Sequence, residues 1–268
     1  MLQYHVFFTR TARAITQIMT IIKLGGSYLN DGISLNICAA FLKSCSGPIA
    51  IVHGGGHYID TLAKTMNIHS EKKEGIRITS RELMDVVDMV LNGKVNTWIV
   101  RNLCAMGLPA LGFSLSSLHM AKTNQQNSKN FTGSIGSINI KPLLSMISNG
   151  ILPVISPTAM NSTGEGININ ADNAAADIAV ATKAHSLLYV SDVPGIKNGE
   201  TLIPSLSTSR ADALISEQVI QAGMIAKIRA VQHALQGGVP NVHIMKLDEH
   251  IRMQDVIDGS VGTKIQQS

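Results

Sequence analysis

The sequence predicts an α/β fold, a three-layer αβα sandwich with a mainly parallel central sheet and two lobes. Two observations support this prediction. Short apolar runs rich in β-branched residues stop at glycines or polar turns, and segments with helical spacing of apolar residues separate them along the 268-residue chain. This alternation is typical of a parallel sheet that is covered by helices on both faces.

The first unit of this fold is a strand, a helix and a second strand. Residues 20–24 and 49–52 are apolar runs that end at glycines, as buried parallel strands do where they turn into a ligand-facing loop. Residues 35–44 between them have helical spacing. We therefore expect a parallel β-α-β unit.

The longest helical pattern covers residues 79–106 and is interrupted at Asn92 and Gly93. Thr79 or Ser80 is expected to cap its first turn. Its apolar residues cover a wide face, which fits either the core of the protein or a dimer interface.

The rest of the chain continues the same alternation. Further strands are expected at 108–113, 151–155 and 187–190, hairpins at 114–138, and helical segments at 171–184 and 211–235. No linker, repeat or low-complexity tract separates independent domains. A boundary between lobes, near 165–185, must therefore lie within a continuous sheet.

Composition argues against several classes of protein. Hydrophobic residues make up 45% and charged residues 15% of the chain, and no uninterrupted apolar run is long enough to span a bilayer. We therefore expect a soluble, cytoplasmic protein with no membrane partner. The net charge of +4 is spread along a chain with few aromatic residues, which argues against nucleic-acid binding. Cys38, Cys45 and Cys104 lack metal-ligand spacing, so we expect no metal held by the protein itself.

Residues 1–19 form an N-terminal extension that contains Arg10 and Arg13 and no acidic residue. Three interpretations remain open. Met19 is the true first residue, or the segment is an extra amphipathic helix used in assembly, or it is an acid-poor organelle presequence.

Two glycine-rich turns follow the first two predicted strands. Lys23 precedes Gly25 and Gly26 at the carboxyl edge of the sheet, where open α/β folds bind ligands. Gly54 and Gly55 belong to a run of three glycines before a helix, whose N-terminus attracts anions. The spacing is neither that of a P-loop nor that of a dinucleotide fingerprint. Both turns suit phosphoryl or carboxylate oxygens, although Lys23 alone fits a surface lysine equally well.

One arginine, two amides and a carboxylate extend this predicted anion site. Arg77 lies in an alternating stretch that suits a bidentate grip on a carboxylate. Asn168 and Asn170 alternate with isoleucines, so both amides are expected on one side of a short strand, and Asp172 opens the next helix. The alternatives are a solvated Arg77 and an Asp172 that only caps its helix.

Lys227 lies on a predicted helix just after Gly223, where it can approach a bound anion. Residues 191–196 close a strand with a turn that suits a nucleotide but is also explained as a plain turn. Two lysines, one carboxylate and two glycine turns together predict a phosphoryl-transfer site for a nucleotide and an anionic acceptor.

The chain resembles the amino acid kinase family from about Thr20 to Ile265. The matching segments follow the family's order: KLGGS at 23–27, VHGGG at 52–56, GIRIT at 75–79, VVDMVLNGKVN at 86–96, NINADNAA at 168–175, SDVPGI at 191–196, GMIAK at 223–227 and GT at 262–263. The arginine segment, the long helix and the NINAD segment resemble the branch whose acceptor is N-acetyl-L-glutamate. The resemblance implies an ATP-dependent kinase of arginine biosynthesis that phosphorylates the side-chain carboxylate of that acceptor.

The resemblance also implies roles for individual residues. Lys23 and Lys227 stabilise the transferring phosphoryl group, and Asp172 organises them. Arg77 and Asn168 bind the α-carboxylate of the acceptor. The other implied acceptor-site residues are Gly25, Gly26, Gly54, Gly55 and Asn170, whose glycines supply N–H groups. The implied ATP site consists of Ser191, Asp192, Val193, Pro194, Gly195, Ile196, Lys197, Val219, Ile220 and Gln221. Magnesium is bound through the nucleotide phosphates.

The resemblance implies an acceptor-binding lobe over 20–180, which includes a dimerisation helix, and an ATP-binding lobe over 181–268. The short segment at 114–117 is typical of dimeric members, and the acid that arginine-inhibited members place before the last Gly-Thr is not evident. We expect a homodimer. The N-terminal extension leaves a hexamer open, and feedback inhibition by arginine is in doubt.

Two other functions remain open. One is a kinase of the same fold that acts on carrier-linked aminoadipate, aspartate, glutamate or carbamate. The other is a non-catalytic regulator that binds an amino acid, against which the two lysines and Asp172 argue.

Overall fold

The computed structural model describes residues 18–29, 32–124 and 130–268. Residues 1–17 of the predicted N-terminal extension, which covers 1–19, lie outside the described residues, and so do residues 125–129 of the predicted hairpin region. Within the described ranges, no helix is both long and apolar enough to cross a membrane.

The strands are short and are numbered in chain order. They are β1 Thr20–Leu24, β2 Ile49–His53, β3 Glu71–Lys73, β4 Ile76–Ile78, β5 Ala110–Ser114, β6 Ala121–Thr123, β7 Thr132–Gly133, β8 Ile135–Ile138, β9 Leu152–Ser156, β10 Thr158–Met160, β11 Gly166–Ile169, β12 Ser186–Val190, β13 Lys197–Asn198, β14 Thr201–Leu202, β15 Ser205–Ser207, β16 Asn241–Met245 and β17 Thr263–Gln266.

The central sheet has the strand order β15-β17-β16-β12-β1-β2-β9-β5. Its neighbours run parallel except β16 and β17, which are antiparallel. β1 lies near the middle, where Lys23 pairs with Tyr189 of β12 on one side and with Val52 of β2 on the other. The carboxyl ends of β1, β2, β9 and β12 therefore meet at one edge, and both glycine turns follow strands that end there.

The helices are also numbered in chain order. They are α1 Gly32–Ser44, α2 Gly56–Thr65, α3 Arg81–Asp88, α4 Thr97–Ala105, α5 Lys141–Ser148, α6 Ala171–Thr182, α7 Thr208–Ser216, α8 Ala222–Gln236 and α9 Met253–Ile257. A π-helical segment, Met89–Asn96, joins α3 to α4.

Helices form a layer on each side of the sheet. Every residue of β1, β9 and β12 is buried, so both faces of these strands are covered. In one layer α6 packs against β1, β12 and α8, and in the other α1 packs against α4 and α9. The predicted αβα fold class is confirmed, as is the first β-α-β unit. The sheet is continuous from β12 to β1, and the division into lobes at residue 180 stays a prediction.

The long helical pattern over 79–106 is confirmed in outline, with one difference. Ser80 caps its start, since its Oγ accepts a hydrogen bond from Leu83 N at 3.2 Å. The middle third is π-helical, which the sequence pattern does not reveal. In this wider segment the Asn96 amide donates to the Val154 carbonyl at 3.0 Å. The irregular helix therefore brings a polar side chain into contact with the sheet.

The helical pattern over 211–235 divides into two helices, α7 and α8. The chain leaves the helical path between them, where Gln218 has a positive φ of 59°. Residues 219–221 therefore form a connection, and α8 begins afresh before Lys227.

Candidate active site

A pocket of about 500 Å³ opens at the carboxyl edge of the sheet. Its lining includes most of the residues predicted for the catalytic and acceptor sites: Lys23, Gly26, Gly54, Gly55, Arg77, Asn168, Asn170 and Asp172. Gly56, the third glycine of the second turn, lines it as well, as do Lys72 and Thr132, which the sequence does not mark as site residues.

Lys23, Asp172 and Lys227 converge at one end of this pocket. Lys23 Nζ lies 2.8 Å from Asp172 Oδ1, and Lys227 Nζ lies 3.1 Å from Oδ1 and 3.3 Å from Oδ2. Their side chains are 9%, 12% and 10% exposed, respectively. One carboxylate therefore faces two ammonium groups where little water screens the charges.

This cluster shifts two pKa values. Burial raises the pKa of Asp172, but the charges of Lys23 and Lys227 outweigh burial and lower it to about 2. Burial and the repulsion of Lys23 lower the pKa of Lys227 to about 8, against the opposing effect of Asp172. Asp172 is therefore ionised and Lys227 is protonated at pH 7, and the site attracts an anion.

Asn170 holds Asp172 in place. Its Oδ1 accepts hydrogen bonds from Asp172 N at 2.9 Å and from Asn173 N at 3.2 Å, so Asn170 is the N-cap of α6. The alternative in which Asp172 serves only as a cap is therefore wrong. The expectation that Asn168 and Asn170 lie on one strand is also wrong, because β11 ends at Ile169 and Asn170 begins the turn into the helix, although both residues line the pocket.

Tyr189 supports the cluster from the neighbouring strand. Its hydroxyl donates to the Asp172 backbone carbonyl at 3.1 Å, and Lys227 Nζ lies 5.2 Å from the centre of its ring. Tyr189 therefore contacts both partners of the second ion pair.

The two glycine turns pack against each other. A Cβ atom on Gly26 would lie 3.1 Å from Gly55 N, and one on Gly54 would lie 3.2 Å from Gly26 N. Glycine allows the two backbones to approach this closely. The turns thus form one surface beside Lys23.

Two of the four predicted N–H donors are already engaged. Gly25 N donates to the Val190 carbonyl and Gly54 N donates to the Leu24 carbonyl, each at 2.8 Å. The prediction that Gly25 and Gly54 donate to a phosphoryl group is therefore wrong, because a strand carbonyl accepts each proton. The N–H groups of Gly26 and Gly55 have no acceptor within the described part of the chain, and they stay candidates for that role.

Arg77 lies at the other end of the pocket. Its Nη1 donates to Asp60 Oδ1 at 2.5 Å and to Ser70 Oγ, and its Nη2 donates to the Gly56 carbonyl at 3.2 Å. Only 6% of its side chain is exposed. The alternative of a solvated arginine on the rim is therefore wrong.

Asp60 holds the polar side chains at this end of the pocket in place. It accepts hydrogen bonds from Lys72 Nζ at 2.9 Å and from Ser70 Oγ at 2.8 Å, in addition to Arg77. Partial burial raises the pKa of Asp60, but Arg77 and Lys72 hold that pKa well below its usual range. A second carboxylate thus faces two cations, as Asp172 does at the first end.

Asn168 joins the Arg77 end through hydroxyl groups. Its Nδ2 donates to Thr79 Oγ1 at 3.0 Å, and that oxygen lies 2.9 Å from Thr132 Oγ1. The Thr132 hydroxyl donates to the Arg77 backbone carbonyl at 2.5 Å. Arg77 and Asn168, which were predicted to bind one carboxylate, therefore lie at the same end of the pocket.

The predicted nucleotide turn at 191–197 follows β12 beside the first glycine turn. Ser27 Oγ donates to Asp192 Oδ1 at 2.9 Å, and the charge of Asp192 counteracts the fall in the pKa of Lys227. A Cβ atom on Gly195 would lie 2.6 Å from Thr263 Oγ1, which packs this turn against β17. These contacts place the turn near the lysine cluster.

The residues predicted to bind the nucleotide fall into a buried group and an exposed group. Ser191, Gly195, Ile196 and Ile220 are buried, so Ile220 fills the core rather than the surface of a binding site. The exposed ones are Asp192, Val193, Pro194, Lys197, Val219 and Gln221. Their role in binding ATP stays a prediction.

The structure shows no protein metal site among the residues that it describes. No group of three His, Cys, Asp or Glu side chains there is arranged to hold a metal ion. The carboxylate in the pocket lining, Asp172, instead faces two lysines.

The chain is similar to known proteins over most of its length. A model of the amino acid kinase family matches residues 19–246. Acetylglutamate kinase of Synechococcus sp. (strain CC9311) is 34% identical over 258 residues, which cover 91% of this chain and 90% of that protein. Acetylglutamate kinase of Campylobacter hominis is 33% identical over 256 residues, which cover 92% and 90%. The crystal structure of smu.665 from Streptococcus mutans UA159 has the same fold, with a TM-score of 0.80, 23% identity and coverage of 92% of this chain and 98% of that one.

Proposed function

This chain belongs to the amino acid kinase family, and we propose that it is an acetylglutamate kinase. It transfers the γ-phosphoryl group of ATP to the side-chain carboxylate of N-acetyl-L-glutamate. The product, N-acetylglutamyl phosphate, is an intermediate of arginine biosynthesis. Two relatives with this name align with most of the chain and are identical to it at about a third of the aligned positions, which supports the assignment.

One observation supports the reaction most strongly: Asp172 holds Lys23 and Lys227 together at one end of the pocket. In the proposed reaction, a carboxylate oxygen of the acceptor attacks the γ-phosphorus of ATP. The bond from phosphorus to the β–γ bridging oxygen breaks, and ADP leaves. Ammonium groups that are already in place stabilise the charge of the transferring group without having to reorganise.

The N–H groups of Gly26 and Gly55 are the proposed backbone donors to the same phosphoryl group. Their turns are in contact with each other and lie beside Lys23 in the pocket. Donors of this kind act best where water is excluded.

The Arg77 end of the pocket is proposed to bind the α-carboxylate of the acceptor. Arg77 is held by Asp60 and Ser70, so its guanidinium is oriented before the acceptor arrives. Asn168 lies beside it and supplies an amide. A pocket with a cationic group at each end suits a substrate with a carboxylate at each end, and fixing both ends brings the reacting atoms together.

ATP is proposed to bind along the turn at residues 191–197 and beside the exposed residues Val219 and Gln221, close to Lys227. We propose that Mg²⁺ accompanies ATP and is held by the nucleotide phosphates, whose charge it neutralises when bound. The pocket is consistent with Mg²⁺ bound through phosphate oxygens rather than through the protein, because the Asp172 carboxylate is already engaged by two lysines.

A homodimer and a cytoplasmic location are parts of the same proposal. β5 is an edge strand of the central sheet, and its Leu111 side chain is 45% exposed; Met89, on the long helical segment, is 47% exposed. Sedimentation should give about twice the chain mass of 28.6 kDa. A monomer would contradict the dimer, and six copies would support the hexamer.

The cytoplasm supplies both proposed small, charged substrates.

The test of the proposed function is ATP-dependent acyl-phosphate formation, trapped as a hydroxamate. N-acetyl-L-glutamate should give product, whereas L-glutamate, L-aspartate and N-acetyl-L-glutamine should give none. Lys23→Met should abolish product, and Lys64→Met, which changes an exposed lysine of α2, should not.

The same panel separates the alternatives. Product with aspartate or glutamate in place of the acetylated acceptor would favour another kinase of this fold. Binding of ATP and N-acetyl-L-glutamate without product from any acceptor would favour a non-catalytic regulator.

A further inference from the structure

His53, the last residue of β2, lies next to the second glycine turn and is completely buried. Its Nδ1 lies 3.0 Å from the Gly54 carbonyl oxygen, and its Nε2 lies 3.1 Å from Asn96 Nδ2. We propose that His53 is a positioning residue: through the Gly54 carbonyl it aims the Gly55 N–H group at the transferring phosphoryl group. This inference rests on the proposed function and adds a residue to its machinery.

The Val154 carbonyl fixes the tautomer of the His53 ring. Asn96 Nδ2 lies 3.0 Å from this carbonyl oxygen, which can only accept hydrogen bonds, so the NH₂ group of Asn96 faces it. The same NH₂ group faces His53 Nε2, which must then be the unprotonated ring nitrogen. The ring proton therefore sits on Nδ1, and His53 donates it to the Gly54 carbonyl.

The ring of His53 is neutral as well as correctly oriented. Burial, aided by the charge of Lys23, lowers its pKa to about 4 against the effect of the Gly54 hydrogen bond. At neutral pH the ring thus has one proton, and the contact with Asn96 leaves that proton on the side of the glycine turn.

Holding the Gly54 carbonyl also sets the direction of the next N–H group. The Gly54 carbonyl and the Gly55 N–H belong to one planar trans peptide, in which the two groups point in opposite directions. Leu24 fixes the other side of Gly54, since its carbonyl accepts the Gly54 N–H at 2.8 Å. Gly54 is therefore restrained at both of its backbone polar groups.

The Gly55 N–H is the group that this restraint leaves for a ligand. It has no acceptor within the described ranges, and Gly55 lines the pocket beside Lys23. A Cβ atom on Gly55 would lie 2.6 Å from Leu91 Cδ2, so the turn is also packed from behind. A donor fixed in this way is most useful where charge develops in the transition state.

Two substitutions of His53 separate the donor from the packing. The amide nitrogen of Asn can occupy the place of histidine Nδ1 and donate there, whereas Gln can place its amide oxygen at the position of Nε2 and accept from Asn96. His53→Asn therefore keeps a donor to Gly54, whereas His53→Gln keeps only the contact with Asn96. His243→Gln is the matched control, because His243 is a buried histidine of β16 and does not line the pocket.

We expect His53→Gln to lower kcat about 10- to 100-fold, which approaches the effect of losing one transition-state donor. The KM values for ATP and for N-acetyl-L-glutamate should change by less than about twofold, since the ground state needs this donor less. His53→Asn should keep kcat within about threefold of the wild-type value, and His243→Gln should leave it unchanged. Thermal unfolding of all three variants checks that they fold.

Nitrogen NMR of the histidine rings gives a second readout that needs no substrate, and the signal missing from His53→Asn identifies His53. We expect the proton on Nδ1. A proton on Nε2 would overturn the proposal whatever the activity. Equal kcat values for His53→Asn and His53→Gln would also overturn it, because activity would then not follow the donor. An Nδ1 proton in a protein that makes no acyl phosphate would overturn the proposed function and, with it, the catalytic use of this contact.

Discussion

Asp172 engages Lys227 with both of its carboxylate oxygens, at 3.1 and 3.3 Å, and shares the nearer oxygen with Lys23 at 2.8 Å. The two ammonium groups come from β1 and α8, which are far apart in the chain. One carboxylate cannot balance both charges. A phosphoryl group placed between the two ammonium groups would complete the balance, which is why this contact is central to the proposed reaction.

Asp172→Asn should weaken both the fold and the reaction. It leaves two buried ammonium groups without a counter-charge, so we expect the free energy of unfolding to fall by about 3 kcal/mol. We expect kcat to fall at least about 100-fold, because the lysines lose their fixed positions. Urea unfolding and steady-state kinetics measure the two effects.

Asp177→Asn is the matched control for that change. Asp177 lies on the same helix, is 22% exposed and pairs with His233 at 2.7 Å, away from the pocket lining. Loss of this ion pair should lower the free energy of unfolding by about 1 kcal/mol or less and leave kcat unchanged. Similar kcat values for the two variants would contradict the role given to Asp172.

Lys227 should set an upper pH limit on the reaction. Its pKa is about 8, chiefly because it is buried. Above that pH, kcat/KM should fall by about tenfold per pH unit as the ammonium group loses its proton. Lys227→Arg should have a lower but flat profile over about pH 7 to 10, because a guanidinium group keeps its charge. A flat wild-type profile over that range would contradict this assignment.

The same titration should affect stability with the opposite sign. The pKa of Lys227 falls from 10.5 to about 8 on folding, so between these values the unfolded chain binds the proton more tightly. The contribution of Lys227 to the free energy of unfolding therefore rises with pH in this window. The stability difference between the wild type and Lys227→Met, measured by urea unfolding, should shift in favour of the wild type from pH 8 to pH 10.5. No shift would show that folding leaves this pKa unchanged.

Asp60→Asn should weaken acceptor binding. Arg77 and Lys72 lose the carboxylate that holds them, so we expect the KM for N-acetyl-L-glutamate to rise about tenfold or more, with the KM for ATP unchanged. Initial-rate kinetics in both substrates measure this split. Asp212→Asn is the control: it removes an exposed ion pair away from the pocket, to Arg229 at 2.8 Å, and should change neither KM. An equal rise in both KM values for Asp60→Asn would indicate a general structural effect.

Gly55→Ala should destabilise the protein and slow the reaction. The added Cβ would lie 2.6 Å from Leu91 Cδ2, so we expect a loss of about 1–3 kcal/mol from overpacking and a lower kcat. Gly93→Ala is the control, since a Cβ there has no neighbour within 4 Å. It should change stability by less than about 1 kcal/mol and leave kcat unchanged. Thermal unfolding of the two variants measures the change in stability, and steady-state kinetics measure the change in kcat.

The sequence was most informative where one local pattern determines the structure. Lys23, Gly26 and Asp172 each stand next to a strand or helix whose apolar pattern is clear, and parallel strands bring such positions to one edge. The fold class, the first β-α-β unit and the meeting of Lys23, Asp172 and Lys227 could therefore be predicted. The π-helical turn could not, because its apolar positions fit an ordinary helix equally well.

Contacts between distant segments were beyond prediction from one sequence. Asp60 has no local feature that marks it as a partner of Arg77, since the pairing depends on how a hairpin folds over α2. The loss of Gly25 and Gly54 as donors likewise depends on which strand carbonyl lies opposite each N–H group. Lys72 is a further example, because it lies opposite Arg77 only through the antiparallel pairing of β3 and β4.

The most direct test of the central claim follows an oxygen atom from the acceptor to the phosphate. N-acetyl-L-glutamate labelled with ¹⁸O in its side-chain carboxylate is incubated with ATP, Mg²⁺ and the protein, and hydroxylamine then cleaves the product at the carbonyl carbon. If the carboxylate attacks the γ-phosphorus, each phosphate released carries one ¹⁸O atom, which ³¹P NMR resolves. Release of phosphate without the label would mean that water is the attacking group, and it would contradict the account.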